Sequence, residues 1–427
     1  MRIFFDVVGC RLNQSEVEGL ANIFRALGHQ IVGESSHADL AIINTCAVTV
    51  KAAADSRKKI RHVGRSGSPR VIATGCWATL NPKDAMALPG VTDVFTNEEK
   101  DFIPAEVLQI DPEVVRGLTL VRVPLPGARG RTRAFIKVQE GCDNHCTYCL
   151  TRVARGKSRS RELDEVKIHI HAAAAGGAKE VVLTGVQLGA WGRDMTPSQG
   201  LVDLLEFILK MGGFHRLRLS SIEPWDFPIE AMKLWEDSRL CRHLHIPLQS
   251  GHDAILRKMR RPCSTGQYID LIHTIREAVP DMAISTDIIT GFPGETEEDF
   301  KNTKNLIHKL NFSSGHVFTF SPRPGTEAFH LRPRVPVKIA KARNAALREV
   351  FKESGHHYRN RFIGKHVPVL WESHQDSSDG RLQLSGLTDT YIRVYSFSEK
   401  CYGNEISMVK LEAHHSHRDA LIGQIVD

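Results

Sequence analysis

FIKVQEGCDNHCTYC, residues 135–149, reads as a buried strand running straight into a loop with three cysteines, Cys142, Cys146 and Cys149. The apolar run AFIKVQ (134–139) is the first of six. EVVLTGV (180–186), LRLSSI (217–222), LHIPLQ (244–249), AISTDIITG (283–291) and HVFTFS (316–321) follow it. Short apolar runs of this kind are typical of buried parallel strands. Helical patterns separate them, among them LVDLLEFILKM (201–211), HDAILRKM (252–259), YIDLIHTIREAV (268–279) and EEDFKNTKNLIHKL (297–310). The alternation predicts a barrel or partial barrel of parallel strands, whose carboxyl-end loops hold the active site. The cysteine loop occupies such an end.

Outward from the barrel toward the N-terminus, the alternation repeats. RIFFDVV (2–8), DLAIIN (39–44) and RVIAT (70–74) alternate with SEVEGLANIFRALGH (15–29) and VKAAADSRKKIRHV (50–63). This predicts an α/β layer with an open parallel sheet. Its strands close on VVGC, INTC and ATGC, so that Cys10, Cys46 and Cys76 each follow a strand end. Ligands of open parallel sheets collect beyond the carboxyl ends of the strands, which places these cysteines along one edge. Gly9 and Gly75 would let the backbone approach a bulky inorganic group. The alternative is three core cysteines, since free Cys is among the most buried residue types.

Residues 98–133 lose the periodicity, and PLPGARGRTR (124–133) reads as a basic linker. After the barrel, VKIAKARNAALREVFKESGHHYRNRF (337–362) is a long helical stretch. The short β-type runs VPVLWES, RLQLSG, YIRVYS, ISMVKLEA and IGQIV then predict a small all-β barrel, with turns at DG (379–380) and YGN (402–404). The expected organisation is 1–118, a linker over 119–133, a barrel over 134–362 and a terminal β domain over 363–427.

The 427 residues exceed what one hydrophobic core supports, so several domains are expected. A hydrophobic fraction of 41 % and a charged fraction of 25 % are ordinary for a soluble globular chain. No apolar run approaches the ~20 residues of a membrane span. MRIFFDVVGCRLNQSE turns polar too early for a signal peptide, so a cytoplasmic location without membrane contact is expected. In a reducing compartment the nine cysteines are free thiols, metal ligands or redox groups. The net charge of +7 permits a polyanionic partner such as RNA without requiring one.

The spacing C-x3-C-x2-C supplies three thiolates, enough for three irons of a cubane 4Fe–4S cluster that normally takes four cysteines. The fourth iron is left open, and an open metal position is where substrate enters. A zinc site with a distant fourth ligand among the 21 histidines is the competing reading.

With Tyr148 before its last cysteine, this motif resembles the radical S-adenosylmethionine (SAM) superfamily. VVGCRLNQSE, INTCAVTVKAAADSRKKIR, ATGCWA, FIKVQEGCDNHCTYC and ARGKSRSR together resemble its methylthiotransferase family over nearly the whole chain. GCRLNQSE, INTCAVT, LSSIEPWDF and HIPLQSG look most like the branch that modifies N6-threonylcarbamoyladenosine in tRNA. Other branches act on N6-isopentenyladenosine or on a ribosomal-protein aspartate. The aspartate branch usually has Pro-Lys-Asn after its first cysteine, where this chain has Arg11-Leu12-Asn13. A second departure is Leu150-Thr151-Arg152, where many members have Ile-Ile-Pro.

The resemblance implies two 4Fe–4S clusters, one on Cys142, Cys146 and Cys149 and an auxiliary one on Cys10, Cys46 and Cys76. It implies a partial (β/α)6 TIM-like barrel and a TRAM-like RNA-binding barrel at the C-terminus. One SAM would donate a methyl group to sulfur, and a second would yield a radical that abstracts hydrogen from C2 of adenine, at tRNA position 37. No general acid or base is implied, because the cofactors carry the hard chemistry. Tyr148, Gln187, Ser220, Glu223, Gln249, Thr286, Asp287 and Gly291 are the candidates for holding SAM. Thr286 and Ser220 could instead satisfy backbone groups, and Glu223 and Asp287 could pair with arginines.

The basic run Arg152, Arg155, Lys157, Arg159 and Arg161 suits a phosphate backbone passing the cluster loop, although such runs are ordinarily solvated faces. Arg257, Lys258, Arg260 and Arg261 would extend it. Tyr391 and Arg393 would offer a stacking face and a charge on the terminal barrel. The partners implied are tRNA, an electron-donor protein and a sulfur source. Cys241, Cys263 and Cys401 fit no ligand trio. Readings from other classes are a redox-sensing RNA-binding protein without turnover and a zinc-stabilised RNA-binding module.

Overall fold

The structure is a computed structural model that describes residues 1–67, 70–126, 132–377 and 380–426. Residues 127–131 of the expected linker and residue 379 of the expected Asp-Gly turn lie outside the described residues.

The first sheet is parallel throughout, in the spatial order Gln30–Val32, Arg2–Val7, Leu40–Thr45, Val71–Gly75, Val91–Phe95. Its central strand is buried at every residue. Alternation along that strand sorts its two faces. Leu40 and Ile42 pack with Val17, Leu20 and Phe24 of the helix Arg11–Ala26, whereas Ala41 and Ile43 pack with Ile60 and Val63 of the helix Val50–Arg65. The sequence reading found the three inner strands. It did not find Gln30–Val32, which is only three residues long, or Val91–Phe95, which is half exposed. It also expected no order over 98–133, where short helices occupy Ile103–Leu108 and Pro112–Arg116.

Six parallel strands then run in chain order, Arg133–Lys137, Glu180–Thr184, Arg216–Leu219, His243–His245, Ala283–Thr290 and Ser314–Thr319. They form two three-stranded sheets joined by the bridges Leu217–Leu240 and Ser221–His245. The result is a partial barrel, with its core between the strands and the helices Leu163–Ala175, Leu201–Lys210, Thr265–Ala278 and Glu297–Leu310. The helix Val337–Asn360 packs along the last strand. The first strand instead meets the helix Arg11–Ala26 of the N-terminal unit.

A closed five-stranded barrel ends the chain: His366–Asp376, Leu382–Thr388, Arg393–Ser398, Ile406–His414 and Leu421–Val426. Its fully buried Trp371 donates to Ser407 Oγ at 2.7 Å. Two arginines of the strand Arg216–Leu219 hold this barrel in place. Arg216 donates to the carbonyls of Leu387 and Pro368, and Arg218 to those of Asp389 and Thr388. The buried Glu180 balances Arg218 at 2.7 Å.

The N-terminal unit is joined to the central barrel by a buried ionic network. Glu16, 1 % exposed, lies 2.6 Å from Lys100, 2.8 Å from Arg155 and 3.8 Å from Lys137. Glu140 accepts from Arg155 at 2.8 Å and from Lys137 at 3.0 Å. Burial pushes the Glu16 carboxyl up, but the three cations outweigh it and hold it well below its ordinary range. Replacing one partner of a buried pair leaves the others uncompensated, at about 3–5 kcal/mol. Glu16→Gln is therefore expected to lower the melting temperature and to raise maleimide labelling of the buried Cys46 and Cys76 in the metal-free protein. The wild-type contribution is full above the ordinary Glu value of 4.5 and is lost as pH falls below it. The variant should lack that part of the acid dependence in a pH series of melting curves.

Candidate active site

A cavity of about 790 Å³ is lined by all three units. The N-terminal sheet contributes Cys10, Cys46 and Cys76; the central barrel contributes Thr184, Ser220, His243 and Asp287; the terminal barrel contributes Thr390, Tyr391 and Arg393. The cavity is the lumen of the partial barrel, closed on its open side by the helix beginning at Arg11 and at its base by the loop holding Tyr391.

The first cysteine trio converges on this lumen. Cys46 is influenced electrostatically by Cys76 and Cys10, and Cys10 by Cys76, while burial pushes the Cys46 thiol up to about 11. Gly9 has φ +111°, and a Cβ there would lie 2.7 Å from Cys46 Cβ and 2.8 Å from its sulfur. Gly75, at φ +91°, would collide with Asn44 and Thr45. Only glycine lets these two strand ends close around the sulfurs. Asn13 accepts from Cys10 Sγ and Asn97 donates to Cys76 Sγ, both at 3.7 Å.

The second trio is similarly collected. Burial pushes Cys142 up to about 12 and Cys146 upward as well, with Cys149 adding to both. The Thr151 backbone N–H donates to Cys149 Sγ at 3.3 Å, the Thr151 hydroxyl oxygen accepts from that thiol at 3.1 Å, and Thr151 lines the cavity. The helix Thr151–Arg155 packs on the helix Cys76–Leu80, which joins the second trio to the first. Among the described residues no trio of His, Cys, Asp or Glu is close enough to cage a single metal ion. A multi-iron group that spreads its thiolates over separate irons fits this donor set, whereas a mononuclear zinc cage does not.

The proposed SAM residues divide into groups. Ser220 and Asp287 line the cavity. The Ser220 hydroxyl has no partner, and Asp287 faces His245 at 3.3 Å. Gln187 accepts from the Asp143 backbone at 3.2 Å and donates to Asp226 at 2.9 Å, bracing the cluster loop. Glu223 pairs with Arg261 at 2.8 Å beside Cys146. Tyr148 meets Phe292 edge-on at 6.4 Å, and burial raises its phenol well above the ordinary value. Gln249 adopts φ +73° and is held by backbone bonds with Asp287 and Ile289. Two residues have structural tasks of their own. Thr286 is fully buried, donating to the Ile246 carbonyl and accepting from Leu248 N–H, so it splices two strands. Gly291, at φ +74°, makes room for Ala340 of the long helix.

The basic run also needs correction. Arg155 is 2 % exposed and committed to Glu16, Glu140 and Asn13, so it cannot meet a phosphate. Arg161 is tied to Asp101 and Glu165, whereas Lys157 and Arg159 are exposed and Arg152 rests on His145. Arg261 is buried against Glu223 and the Pro247 carbonyl. Tyr391 stacks on His243 at 4.6 Å inside the cavity rather than on an outer face. Arg393 is paired with Glu372 at 2.6 Å.

Several residues of the site escaped the sequence reading. His243 and His245 alternate on one short strand, a period that places both toward the lumen. Asn13 and Glu16, three and six residues after Cys10, carried no separate signal. Nor did Arg11, whose partners lie far along the chain.

Comparison with known proteins agrees with this arrangement. Residues 136–307 match the model of the radical SAM superfamily, and residues 2–97 match uncharacterized protein family UPF0004. The threonylcarbamoyladenosine tRNA methylthiotransferase MtaB of Thermotoga maritima is 38 % identical over 91 % of this chain and 89 % of its own. The tRNA-2-methylthio-N(6)-dimethylallyladenosine synthase of Clostridium tetani is 31 % identical over 91 % of this chain and 88 % of its own. Among solved structures, the radical S-adenosylmethionine methyltransferase TsrM of Kitasatospora setae, with cobalamin and a [4Fe-4S] cluster bound, superposes with a TM-score of 0.55. It is 16 % identical and covers 77 % of this chain and 76 % of its own, a likeness of fold. No described helix is long and apolar enough to cross a membrane. With relatives matched over most of their length, the chain belongs to the radical SAM methylthiotransferase family, enzymes that use SAM and an iron–sulfur cluster.

Proposed function

We propose that this chain inserts a methylthio group at C2 of N6-threonylcarbamoyladenosine, beside the anticodon at position 37 of tRNA. The observation that carries the reading is the single lumen lined by the Cys10, Cys46 and Cys76 trio, by Thr151 next to Cys149, and by the polar strand ends Ser220 and Asp287. The relatives named for threonylcarbamoyladenosine, at 38 % in Thermotoga maritima and 35 % in Aquifex aeolicus, support the choice of nucleoside.

Cys142, Cys146 and Cys149 would hold one 4Fe–4S cluster, and Cys10, Cys46 and Cys76 a second. When bound, these clusters and SAM supply the one-electron chemistry and the methyl group that an unactivated aromatic C–H requires. The chain's own residues prepare the place. Gln187 fixes the backbone after Cys142. Ser220 and Asp287 offer an unused hydroxyl and a carboxylate to the polar ends of SAM. Arg155 sets a buried positive charge beside Cys10, Cys46 and Cys76. The helix from Arg11 and the loop at Tyr391 shield the lumen from water. Arg152, Lys157 and Arg159 lie beside the cluster loop and suit the RNA backbone, with the TRAM-like barrel as a further contact. An electron-donor protein and a sulfur source complete the reaction.

Nucleoside mass spectrometry of tRNA from cells lacking the protein tests the substrate. Loss of the methylthio group from threonylcarbamoyladenosine is expected; loss from isopentenyladenosine alone would replace this reading with the other branch. With reconstituted enzyme, Cys142→Ala should abolish 5′-deoxyadenosine formation, while Cys46→Ala should retain SAM cleavage and lose sulfur insertion. Full product from Cys46→Ala would remove the auxiliary site from the scheme. Lys157→Ala with Arg159→Ala should weaken tRNA binding and lower the slope of log K against log salt by about 2, one for each phosphate contact. An unchanged slope would make both residues part of a solvated surface.

A further inference from the structure

The lumen is lined by six Lys and Arg residues against two carboxylates, Asp287 and Asp419. Most of these cations are already committed. Arg155 is held by Glu16 and Glu140, Arg359 by Asp419, and Arg393 by Glu372. Arg348 and Lys352 are exposed. Arg11 differs from all of these. It is half-buried, and among the described residues it has no carboxylate partner. Its guanidinium donates to the Tyr391 hydroxyl, with its carbon 5.4 Å from the Tyr391 ring centroid and 5.9 Å from that of Phe135. A guanidinium carries five N–H donors in a fixed fork suited to a carboxylate, and one is used here. His243 and His316 do not compete as cations, since burial holds His243 well below its ordinary value and lowers His316 also.

The substrate proposed above supplies the missing partner. A threonine joined to the carbamoyl group through its amine keeps its own carboxylate free, whereas an isopentenyl group has no charge. The adduct hangs from C6 of the adenine ring, and only N1 separates C6 from the reacting C2. Whatever grips the adduct must therefore lie near the sulfur-delivering trio, and Arg11 directly follows Cys10. We propose that Arg11, braced on Tyr391 and Phe135, binds the carboxylate of the threonylcarbamoyl group and is a specificity-determining residue. An apolar adduct in its place would leave a half-buried guanidinium without its partner, which disfavours that substrate.

The test uses the reconstituted full-length enzyme and an anticodon stem-loop carrying threonylcarbamoyladenosine, with its carboxylate either free or as the methyl ester. Wild type should bind and convert the free acid about 10- to 100-fold better than the ester, the range for a hydrogen bond to a charged group. Arg11→Gln should treat both alike, at the level at which wild type treats the ester. Tyr391→Phe, which keeps the ring, should retain most of the preference. Equal treatment of acid and ester by wild type would overturn the proposal without recourse to any variant. So would an undiminished preference in Arg11→Gln. Either result alongside conversion of the free acid leaves the substrate assignment standing. Failure of wild type to convert the free acid, with conversion of an isopentenyl stem-loop, would remove the substrate assignment and this inference together.

Discussion

The arrangement depends on a carboxylate buried among three cations. Glu16 sits one and a half turns into the helix that begins after Cys10, and Arg155 ends the helix that begins after Cys149. Their contact at 2.8 Å joins two segments 139 residues apart in the chain, one following a cysteine of the first trio and the other a cysteine of the second. Lys100, also fully buried, extends the same constraint to Asn97, which contacts both Cys76 and the Ala154 carbonyl. Since several buried charges share partners, no member can move without leaving another uncompensated. The positions of both trios follow from this rather than from either loop alone.

The base of the lumen is fixed by a different device. Arg216 and Arg218 donate mainly to backbone carbonyls of the terminal barrel, which a charged donor can satisfy whatever the side chains there. Tyr391, in a left-handed turn at φ +65°, is thereby brought over His243 and surrounded by Arg11, Arg133 and Arg218. Burial would raise its phenol, but those guanidinium charges outweigh it and hold it below its ordinary value. The terminal barrel thus also forms part of the cavity wall.

The parts legible in sequence were those with local signals. Short apolar runs located the six strands of the central barrel, helical periodicity located Leu201–Lys210, Thr265–Ala278 and Glu297–Leu310 but not Leu163–Ala175, and the cysteine positions marked both trios. What remained hidden depends on contacts between distant segments. ARGKSRSR has the composition of a solvated basic face, and part of it is one: Lys157 and Arg159 are exposed. Arg155 points the other way because its helix of five residues lies against Glu16 and Glu140. Nothing within ten residues of Arg155 announces those partners from the N-terminal side. Likewise Thr286 reads as a ligand contact in the sequence, yet it lies within the strand Ala283–Thr290 and its hydroxyl is consumed by the neighbouring strand. Gly291 reflects the approach of a helix fifty residues later.

An apolar interface between the N-terminal unit and the barrel would give comparable or greater stability, because burying charges costs desolvation that pairing only partly offsets. Such an interface could not perform the second task visible here. A trio of thiolates adds negative charge to the site, and Cys10 and Cys76 both disfavour ionisation of Cys46. Arg155 acts in the opposite direction on Cys10 and Cys46 and is itself influenced by Cys76. Its positive charge must be present before the sulfurs ionise, and a lone guanidinium at that depth would be strongly unfavourable. Glu16 and Glu140 make it tolerable, and Lys100 and Lys137 then prevent the two carboxylates from cancelling it. The network is charged, rather than apolar, because the interface carries an electrostatic duty toward the cysteines as well as holding two units together.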